Sequence, residues 1–169
     1  MYGIIATWRM ALEGISKADS MLKNNESAAD SIEEAIKAVE NFEYYKSVGY
    51  GGLPNEEMEV ELDAAFMDGD TLEFGCVGGI KDFANPVSIA RSLMHYDANN
   101  FLIGQGAEKY ASRHGFERKT MLTDRAKIHY HNRTKEITNT ELKPYSGHDT
   151  VGMVCLDTAG HMTSATSTS

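Results

Sequence analysis

An α+β fold is predicted for this chain, with helices layered against antiparallel strands. The first observation is that apolar residues recur at helical spacing in two stretches within the first 42 residues. The second is that apolar and acidic residues alternate between residues 59 and 66, as in a strand with one buried face. The third is the hairpin signal Asp68-Gly69, after which the alternation resumes. Helices mixed with antiparallel strands indicate a layered α+β architecture.

The N-terminal part predicts a short buried strand followed by two helices. The strand covers residues 3–8, and the first helix ends near residues 24–25. Ser27 is expected to cap the second helix, with Asp30 three residues later as its capping-box partner. The apolar stripes are Met10, Ile15, Ala18, Met21 and Leu22 on the first helix, and Ile32, Ala35, Ile36, Val39 and Phe42 on the second.

The middle of the chain predicts a loop and then a β-hairpin. Residues 47–55 contain three glycines and a proline, which are costly inside regular elements and therefore predict a loop. On the strand that follows, Val60, Leu62, Ala64 and Phe66 are expected to form the buried face. On the return strand, Leu72, Phe74 and Cys76 are expected to continue that face.

Three further elements are predicted after the hairpin. Asn85 is expected to cap a helix that has Pro86 at its first position. Residues 101–103 predict a short strand, and residues 107–114 predict a helix closed by Gly115.

Composition narrows the possible partners. The chain has 169 residues, enough for one domain with a hydrophobic core, and 41% of them are hydrophobic. The net charge of −9 should repel phosphate backbones, so we expect no nucleic-acid partner. No stretch is long enough to cross a bilayer, and no basic segment precedes the first apolar run. We therefore expect no membrane partner, no signal peptide and a cytoplasmic location.

The cysteines and histidines do not predict a metal site. Cys76 and Cys155 lie in apolar runs, which favours small buried hydrophobes over a disulfide framework. In His129-Tyr130-His131, two imidazoles could bind a metal from a strand edge, but no carboxylate or cysteine follows at ligand spacing. A solvated loop is therefore the favoured interpretation there, and we expect neither a metal nor an organic cofactor.

The C-terminal part contains one candidate nucleophile. Residues 119–146 predict a loop or partly helical connection, because polarity is high and periodicity is poor. Two strands then flank Ala159-Gly160, and the first should start at Thr150 and be buried. A threonine hydroxyl is a poor nucleophile unless a base takes its proton, and cutting the chain just before it supplies its own α-amine as that base. The alternative is an ordinary buried strand that contains threonine, which is a good strand former.

Four stretches of sequence, in the same order along the chain, resemble one known family. They are HDTVGMV at 148–154 with Gly160 and ATST at 165–168; SVGYGGLPNE at 47–56 with ELDA at 61–64 and MDG at 67–69; NP at 85–86 with AR at 90–91; and FLIG at 101–104 with GA at 106–107. Together they run over most of the chain. The chain thus resembles the glycosylasparaginases, which belong to the N-terminal nucleophile hydrolases.

The resemblance implies a site and a mechanism. In that family the protein cleaves its own Asp–Thr bond, and the exposed threonine becomes the nucleophile; a second active-site threonine lies eighteen residues downstream. The implied residues are His148, Asp149 and Thr150 for autoproteolysis, Thr150 and Thr168 for catalysis, and Trp8 and Ser47 for substrate binding. The implied substrate is a small molecule, N-acetylglucosaminyl asparagine or another β-aspartyl compound.

The resemblance also implies a larger assembly. The family fold has two stacked sheets between helical layers, of which this chain would hold an incomplete part. Residues 1–149 would be the α-chain portion, and residues 150–169 would start the β chain. The remainder of the β chain, which in the family carries the carboxylate-binding arginine and acid and the oxyanion hole, is an expected partner. We also expect a homodimer of α–β units.

Two alternatives remain open. The related isoaspartyl peptidases, also called plant-type asparaginases, usually begin with a His-Gly-Gly-Ala-Gly run and have glycine directly before the nucleophile. Trp8 and Asp149 instead match the glycosylasparaginase pattern, although Arg9 stands where that family often has proline. The second alternative is an inert precursor or self-associating fragment, because unfinished sheets expose strand edges that can pair with another copy.

Overall fold

The centre of the fold is one mixed β-sheet. The structure, a computed structural model, describes residues 1–139 and 150–169, with the backbone alone at 136–139. Within that part the sheet has six strands in the order β1-β5-β6-β2-β3-β4, and only the β3–β4 pair is parallel. The strands are β1 Gly3–Ala6, β2 Leu62–Asp68, β3 Phe74–Ile80, β4 Phe101–Ile103, β5 Val151–Leu156 and β6 Met162–Thr168. The predicted mixture of helices and largely antiparallel strands is confirmed.

The first four helices of the chain form a layer on one face of this sheet. A short 3₁₀ turn at Arg9–Ala11 leads into the first of them. The helices are α1 Leu12–Lys23, α2 Ala28–Glu40, α3 Pro86–Leu93, α4 Gly104–Arg113 and α5 Asp124–Asn139. α2 and α3 lie directly on the strands, and α1 packs against α2 and β1. Among the described residues, no helix combines the length and the apolar character needed to span a membrane.

The two faces of the sheet differ in burial. Phe66 on β2, Met153 on β5 and Ala165 on β6 point into the helical side and are buried. Their neighbours along the strands, such as Met67 and Val154, lie on the opposite side and are exposed. We call this second side the open face. Because strand side chains alternate, β2, β3, β5 and β6 are each buried on one side only.

Three predicted burial patterns are therefore wrong. β1 is an edge strand whose Ile5 is 78% exposed, so it is not buried. β5 is buried on its helical side only, and Thr150 before it is exposed. On β3 the buried residues include Gly75 and Val77, whereas Phe74 is exposed. The reason is the hairpin register, which pairs Phe74 with Met67 of the open face, because directly paired residues share a face.

Gly75 explains how β3 approaches the helices. A Cβ atom at this position would lie 2.0 Å from the carbonyl oxygen of Ala90 in α3. Only glycine permits that contact, so α3 lies almost directly on the β3 backbone. Cys76, next along β3, is half-buried and belongs to the open face, which corrects the prediction that both cysteines are buried. Burial raises the pKa of the fully buried Cys155 thiol to about 11.

The predicted starts of α2 and α3 are confirmed, but one cap differs from expectation. The Ser27 hydroxyl oxygen accepts the Asp30 N–H at 3.0 Å and donates to the Asp30 carboxylate at 2.7 Å. α3 starts at Pro86, yet the Asn85 side chain accepts no N–H of that helix. Asn85 has a left-handed backbone (φ 51°), and the capping oxygen comes from Glu40 instead.

Helix α5 forms a large part of the connection that was predicted to be a loop or partly helical, which bears out the helical alternative. The residues of α5 are polar on nearly every side of the helix, so its sequence lacks the apolar stripe by which amphipathic helices are recognised. Local contacts start it: the Thr123 hydroxyl accepts the Ala126 N–H at 3.2 Å, and Lys127 pairs with Asp124 at 2.9 Å. Ala126 is buried and anchors the first turn.

Candidate active site

Three polar residues form one row across the open face. Thr168 of β6 pairs with Asp63 of β2, and Val151 of β5 pairs with Ser167 of β6. Continuing the β5–β6 register by one residue places Thr150 opposite Thr168, at a Cα separation of about 4.5–5.5 Å for antiparallel neighbours. Thr150 and Asp63 are exposed, and Thr168 is half-buried. The two predicted catalytic threonines are therefore neighbours at the same end of the sheet.

Thr7 fixes the backbone on both sides of Val151. The Thr7 N–H donates to the Gly152 carbonyl at 2.9 Å, and the Gly152 N–H donates to Thr7 Oγ1 at 2.8 Å. The Thr7 hydroxyl lies 3.0 Å from the Thr150 carbonyl, to which it donates. Sequence reasoning missed this residue, because a threonine after a short apolar run is not distinctive.

The glycine-rich loop at residues 47–55 contacts the end of β6. The Ser47 carbonyl accepts the Ser169 N–H at 2.9 Å and, more weakly, the Thr168 hydroxyl at 3.4 Å. Gly49 has φ +65°, and a Cβ there would lie 2.3 Å from the Glu40 carbonyl oxygen, so the loop needs glycine at this position. The Ser47 carbonyl and Thr168 are thus in contact at this end of β6.

Trp8 lies at the same end of the sheet, directly after Thr7. Its backbone has φ 64° and ψ 150°, and its side chain is 54% exposed. A non-glycine residue in such a region costs about 1–3 kcal/mol and persists only where surrounding contacts enforce it.

Asp63 and Asp68 have structural roles at the ends of β2. Asp63 Oδ1 accepts the Gly79 N–H at 2.8 Å, where the β2–β3 register shifts. Asp68 Oδ1 accepts the N–H groups of Thr71 at 2.9 Å and Asp70 at 2.8 Å in the hairpin turn. The Thr71 N–H, followed by the Asp70 N–H, lowers the pKa of Asp68 despite some desolvation.

A shallow groove on the open face begins beside Thr7 and Gly152. Its volume is about 310 Å³, and it is lined by Ile5, Ala6, Thr7, Gly152, Met153, Val154, Ser164, Ala165 and Thr166. The predicted autoproteolysis residues His148 and Asp149 lie outside the described residues, so only Thr150 of that set is located.

The described residues contain no group of three or more histidine, cysteine, aspartate or glutamate side chains placed to hold a metal ion. His129 and His131 lie on helix α5 and not on a loop, which corrects that interpretation. Burial, and then the charges of Lys46 and Arg125, lower the pKa of His129.

Comparison with known proteins assigns the family. A family model described as asparaginase matches residues 6–169. The chain belongs to the asparaginase family. The match starts at the last residue of β1 and includes the glycine-rich loop and both candidate threonines, so the row on the open face lies within a family region.

Individual relatives carry two different names. An N(4)-(β-N-acetylglucosaminyl)-L-asparaginase of Elizabethkingia miricola is 31% identical over 98% of this chain and 48% of its own length. An isoaspartyl peptidase/L-asparaginase of Rattus norvegicus is 36% identical over 92% of this chain and 49% of its own length. An isoaspartyl peptidase of Escherichia coli is 31% identical over 91% of this chain and 50% of its own length. This asparaginase-family chain thus spans about half the length of these curated relatives.

Proposed function

We propose that the protein is an amidohydrolase whose nucleophile is Thr150, and that it cleaves the side-chain amide of N-acetylglucosaminyl asparagine. The observation that carries this proposal is the position of Thr150 opposite Thr168 on an open sheet face of an asparaginase-family chain. Trp8 beside this end, and Ser47 behind Thr168, are the proposed substrate-binding residues.

The first proposed step is self-cleavage between Asp149 and Thr150. Thr150 Oγ attacks the Asp149 carbonyl carbon, the peptide C–N bond breaks, and an ester with a free Thr150 amine forms. Asp149 or a water takes the hydroxyl proton, and His148 helps to hold the turn. Water then hydrolyses the ester and leaves Thr150 as a new N-terminus. Residues 1–149 thereby become the α-chain portion, and residues 150–169 start the β chain.

In the second proposed step, the substrate amide is hydrolysed. Thr150 Oγ attacks the side-chain amide carbon, and the Thr150 α-amine accepts the hydroxyl proton. This amine has a pKa of about 7.7–8 in model peptides, so a substantial part is neutral near neutral pH. The glycosylamine leaves with a proton, and water releases aspartate from the β-aspartyl enzyme. Thr168 tunes the nucleophile, and acid–base assistance of this kind contributes about 10²–10⁴ in rate.

We further propose that the rest of the polypeptide covers the open face and completes a four-layer αββα sandwich. The large apolar side chains left exposed there support this: Ile5, Val154, Phe74, Phe101 and Ile103 are 43–78% exposed. Apolar groups gathered on one side of a sheet indicate a surface that another layer covers. The completed α–β unit would then form a homodimer.

A second candidate function is isoaspartyl peptidase and L-asparaginase activity. It is favoured by the relative of that name in Mus musculus, which is 37% identical over 92% of this chain. Both candidates share the Thr150 nucleophile and differ in the group that leaves the β-aspartyl carbon.

Substrate comparison separates these candidates. We would express the protein as its gene encodes it and measure kcat/KM for N-acetylglucosaminyl asparagine and for a β-aspartyl dipeptide, with Thr150→Ala as the control. A higher kcat/KM for the glycosylated substrate is expected. A clear preference for the dipeptide would assign the second function. A folded protein that turns over neither substrate would indicate the inert precursor.

A further inference from the structure

Glu40 is a fully buried carboxylate that connects several elements behind the candidate site. It is the last residue of α2, with no exposed surface. Its carboxylate accepts the Val87 N–H and an Asn85 Nδ2–H, each at 3.1 Å. The N-terminal cap of α3 is therefore supplied by Glu40 of α2. Asn85, the residue before α3, makes no such cap with its side chain.

The Glu40 backbone also holds the glycine-rich loop. Its carbonyl accepts the Tyr50 N–H at 2.7 Å, and Gly49 packs directly against it. The same loop carries Ser47, whose carbonyl contacts the N–H of Ser169 and the hydroxyl of Thr168. A shift of Glu40 would thus be transmitted to the end of β6.

Ser167 provides a second and more direct connection. Its side chain is fully buried, and among the described residues its hydroxyl has no partner within ordinary hydrogen-bond geometry. The hydroxyl lies close enough to the Glu40 carboxylate to lower the pKa of Glu40. Ser167 precedes Thr168 and pairs across the sheet with Val151, the residue after Thr150. The buried carboxylate therefore lies behind the strand positions that place both threonines.

We propose that Glu40 is a positioning residue for the reaction at Thr150, acting through Ser167 and through the loop that carries Ser47. This role rests on the proposed function, because it concerns the geometry of Thr150 relative to Thr168. Glu40 lies on the helical side of the sheet and does not touch substrate.

The protonation state of Glu40 decides which contact Ser167 makes. The ionised carboxylate can accept from three donors, namely Val87 N–H, Asn85 Nδ2–H and Ser167 O–H. The protonated acid has one O–H to donate, and the Ser167 hydroxyl, unlike the Val87 N–H, can accept it. Protonation thus reverses the Glu40–Ser167 contact.

Burial raises the pKa of Glu40 to about 7, so both forms are populated near neutral pH. The charge of Glu33 on α2 also raises this pKa. Arg91 of α3 pairs with Glu33 at 2.5 Å and with Asp30 at 2.7 Å, which partly neutralises that charge.

The test uses the protein as its gene encodes it, with three variants. Glu40→Gln keeps an oxygen that can accept from Val87 but cannot titrate. Ser167→Ala removes the hydroxyl and leaves Glu40 in place. Ser31→Ala is the matched control, because Ser31 is another fully buried serine with no partner among the described residues and lies on α2.

Self-cleavage rate, kcat and KM would be measured from pH 5.5 to 9. Because the Thr150 amine and Glu40 both titrate in this range, log kcat of the wild type should rise with pH more steeply than one ionisation allows. Glu40→Gln and Ser167→Ala should each lower kcat about tenfold, the usual size of one buried polar contact, with KM nearly unchanged. Glu40→Gln should also reduce the slope of log kcat against pH to the value expected for one ionising group. The double variant should be no worse than either single variant, because both substitutions act on the same Glu40–Ser167 contact.

Two failures can be told apart. A wild type that hydrolyses no β-aspartyl amide would reject the proposed function, and this role with it. An active wild type whose Ser167→Ala and Glu40→Gln variants keep its kcat and pH profile would overturn the role of Glu40 alone. Should Glu40→Gln fail to fold, Ser167→Ala decides: a kcat equal to that of Ser31→Ala would overturn the proposal.

Discussion

Thr7 and Gly152 bind each other by two hydrogen bonds, with the Thr7 N–H on the Gly152 carbonyl at 2.9 Å and the Gly152 N–H on Thr7 Oγ1 at 2.8 Å. The side chain thereby extends the pairing of β1 and β5 by one residue beyond Ala6–Met153. The same hydroxyl donates to the carbonyl of Thr150 at 3.0 Å. The orientation of the proposed nucleophile therefore depends on an exposed threonine that directly follows the edge strand β1.

Replacing Thr7 with valine should impair the site more than the fold. Thr7→Val keeps the shape, but it leaves the Gly152 N–H and the Thr150 carbonyl without their hydroxyl partner. We expect self-cleavage and kcat to fall about tenfold or more, and stability to fall by about 1 kcal/mol, the usual net value of a hydrogen bond. Urea unfolding and a β-aspartyl amide assay measure both quantities.

Thr158→Val is the matched control for this change. Its hydroxyl is exposed and donates to Asn25 Oδ1 at 3.1 Å in the turn at the far end of β5. The kcat of Thr158→Val should equal that of the wild type. Equal kcat in Thr7→Val and Thr158→Val would show that Thr7 does not position Thr150.

Thr168→Val should lower kcat with little loss of stability. Among the described residues the Thr168 hydroxyl makes one long contact, 3.4 Å, to the Ser47 carbonyl, so that part of the fold depends on it weakly. If this hydroxyl forms a hydrogen bond near the reacting threonine, its removal would cost about 1–3 kcal/mol of transition-state stabilisation. Thr163→Val, at the other end of β6, serves as the control. A folded Thr168→Val protein with wild-type kcat would mean that Thr168 is only a strand residue.

Glu40 should make the protein less stable as pH rises towards neutrality. Its pKa is raised from 4.5 to about 7 in the folded state, so the folded protein binds this proton more tightly than the unfolded chain. The stabilisation is complete below pH about 4.5 and is lost as pH rises through about 7, amounting to about 3 kcal/mol.

Glu40→Gln isolates this effect, because glutamine does not titrate. The difference in unfolding free energy between wild type and Glu40→Gln should change by about 3 kcal/mol in favour of the variant between pH 4.5 and 8. Urea unfolding at several pH values measures it. A difference that stays constant over this range would show that Glu40 keeps its ordinary pKa.

Local patterns in the sequence predicted the elements whose signals are themselves local. Ser27 caps α2 because a serine before an apolar stripe satisfies free N–H groups, and Asp68-Gly69 turns the hairpin. The open face was not predictable in this way. The face to which Phe74 belongs depends on its pairing with Met67, a register that the alternation alone does not specify.

The candidate site was likewise predictable from the sequence only in part. Thr150, Thr168, Trp8 and Ser47 were identified from family motifs, and the structure places all four at one end of the sheet. Thr7 was missed because its role depends on contacts 143–145 residues away in sequence.

The identity of the self-processed bond tests the central claim most directly. Thr150 Oγ is bonded to Cβ. Its attack on the carbonyl carbon of Asp149 therefore closes a five-membered ring, which is possible when the turn is strained. Thr150→Ala should therefore leave one uncut chain, whereas Thr150→Ser and Thr150→Cys keep a nucleophile on Cβ and should cut. The measurement is intact mass with N-terminal sequencing of the purified protein as its gene encodes it. Two chains, the second beginning at Thr150, are predicted; an active protein that is uncut, or whose new N-terminus is another residue, would contradict the assignment of Thr150 as the nucleophile.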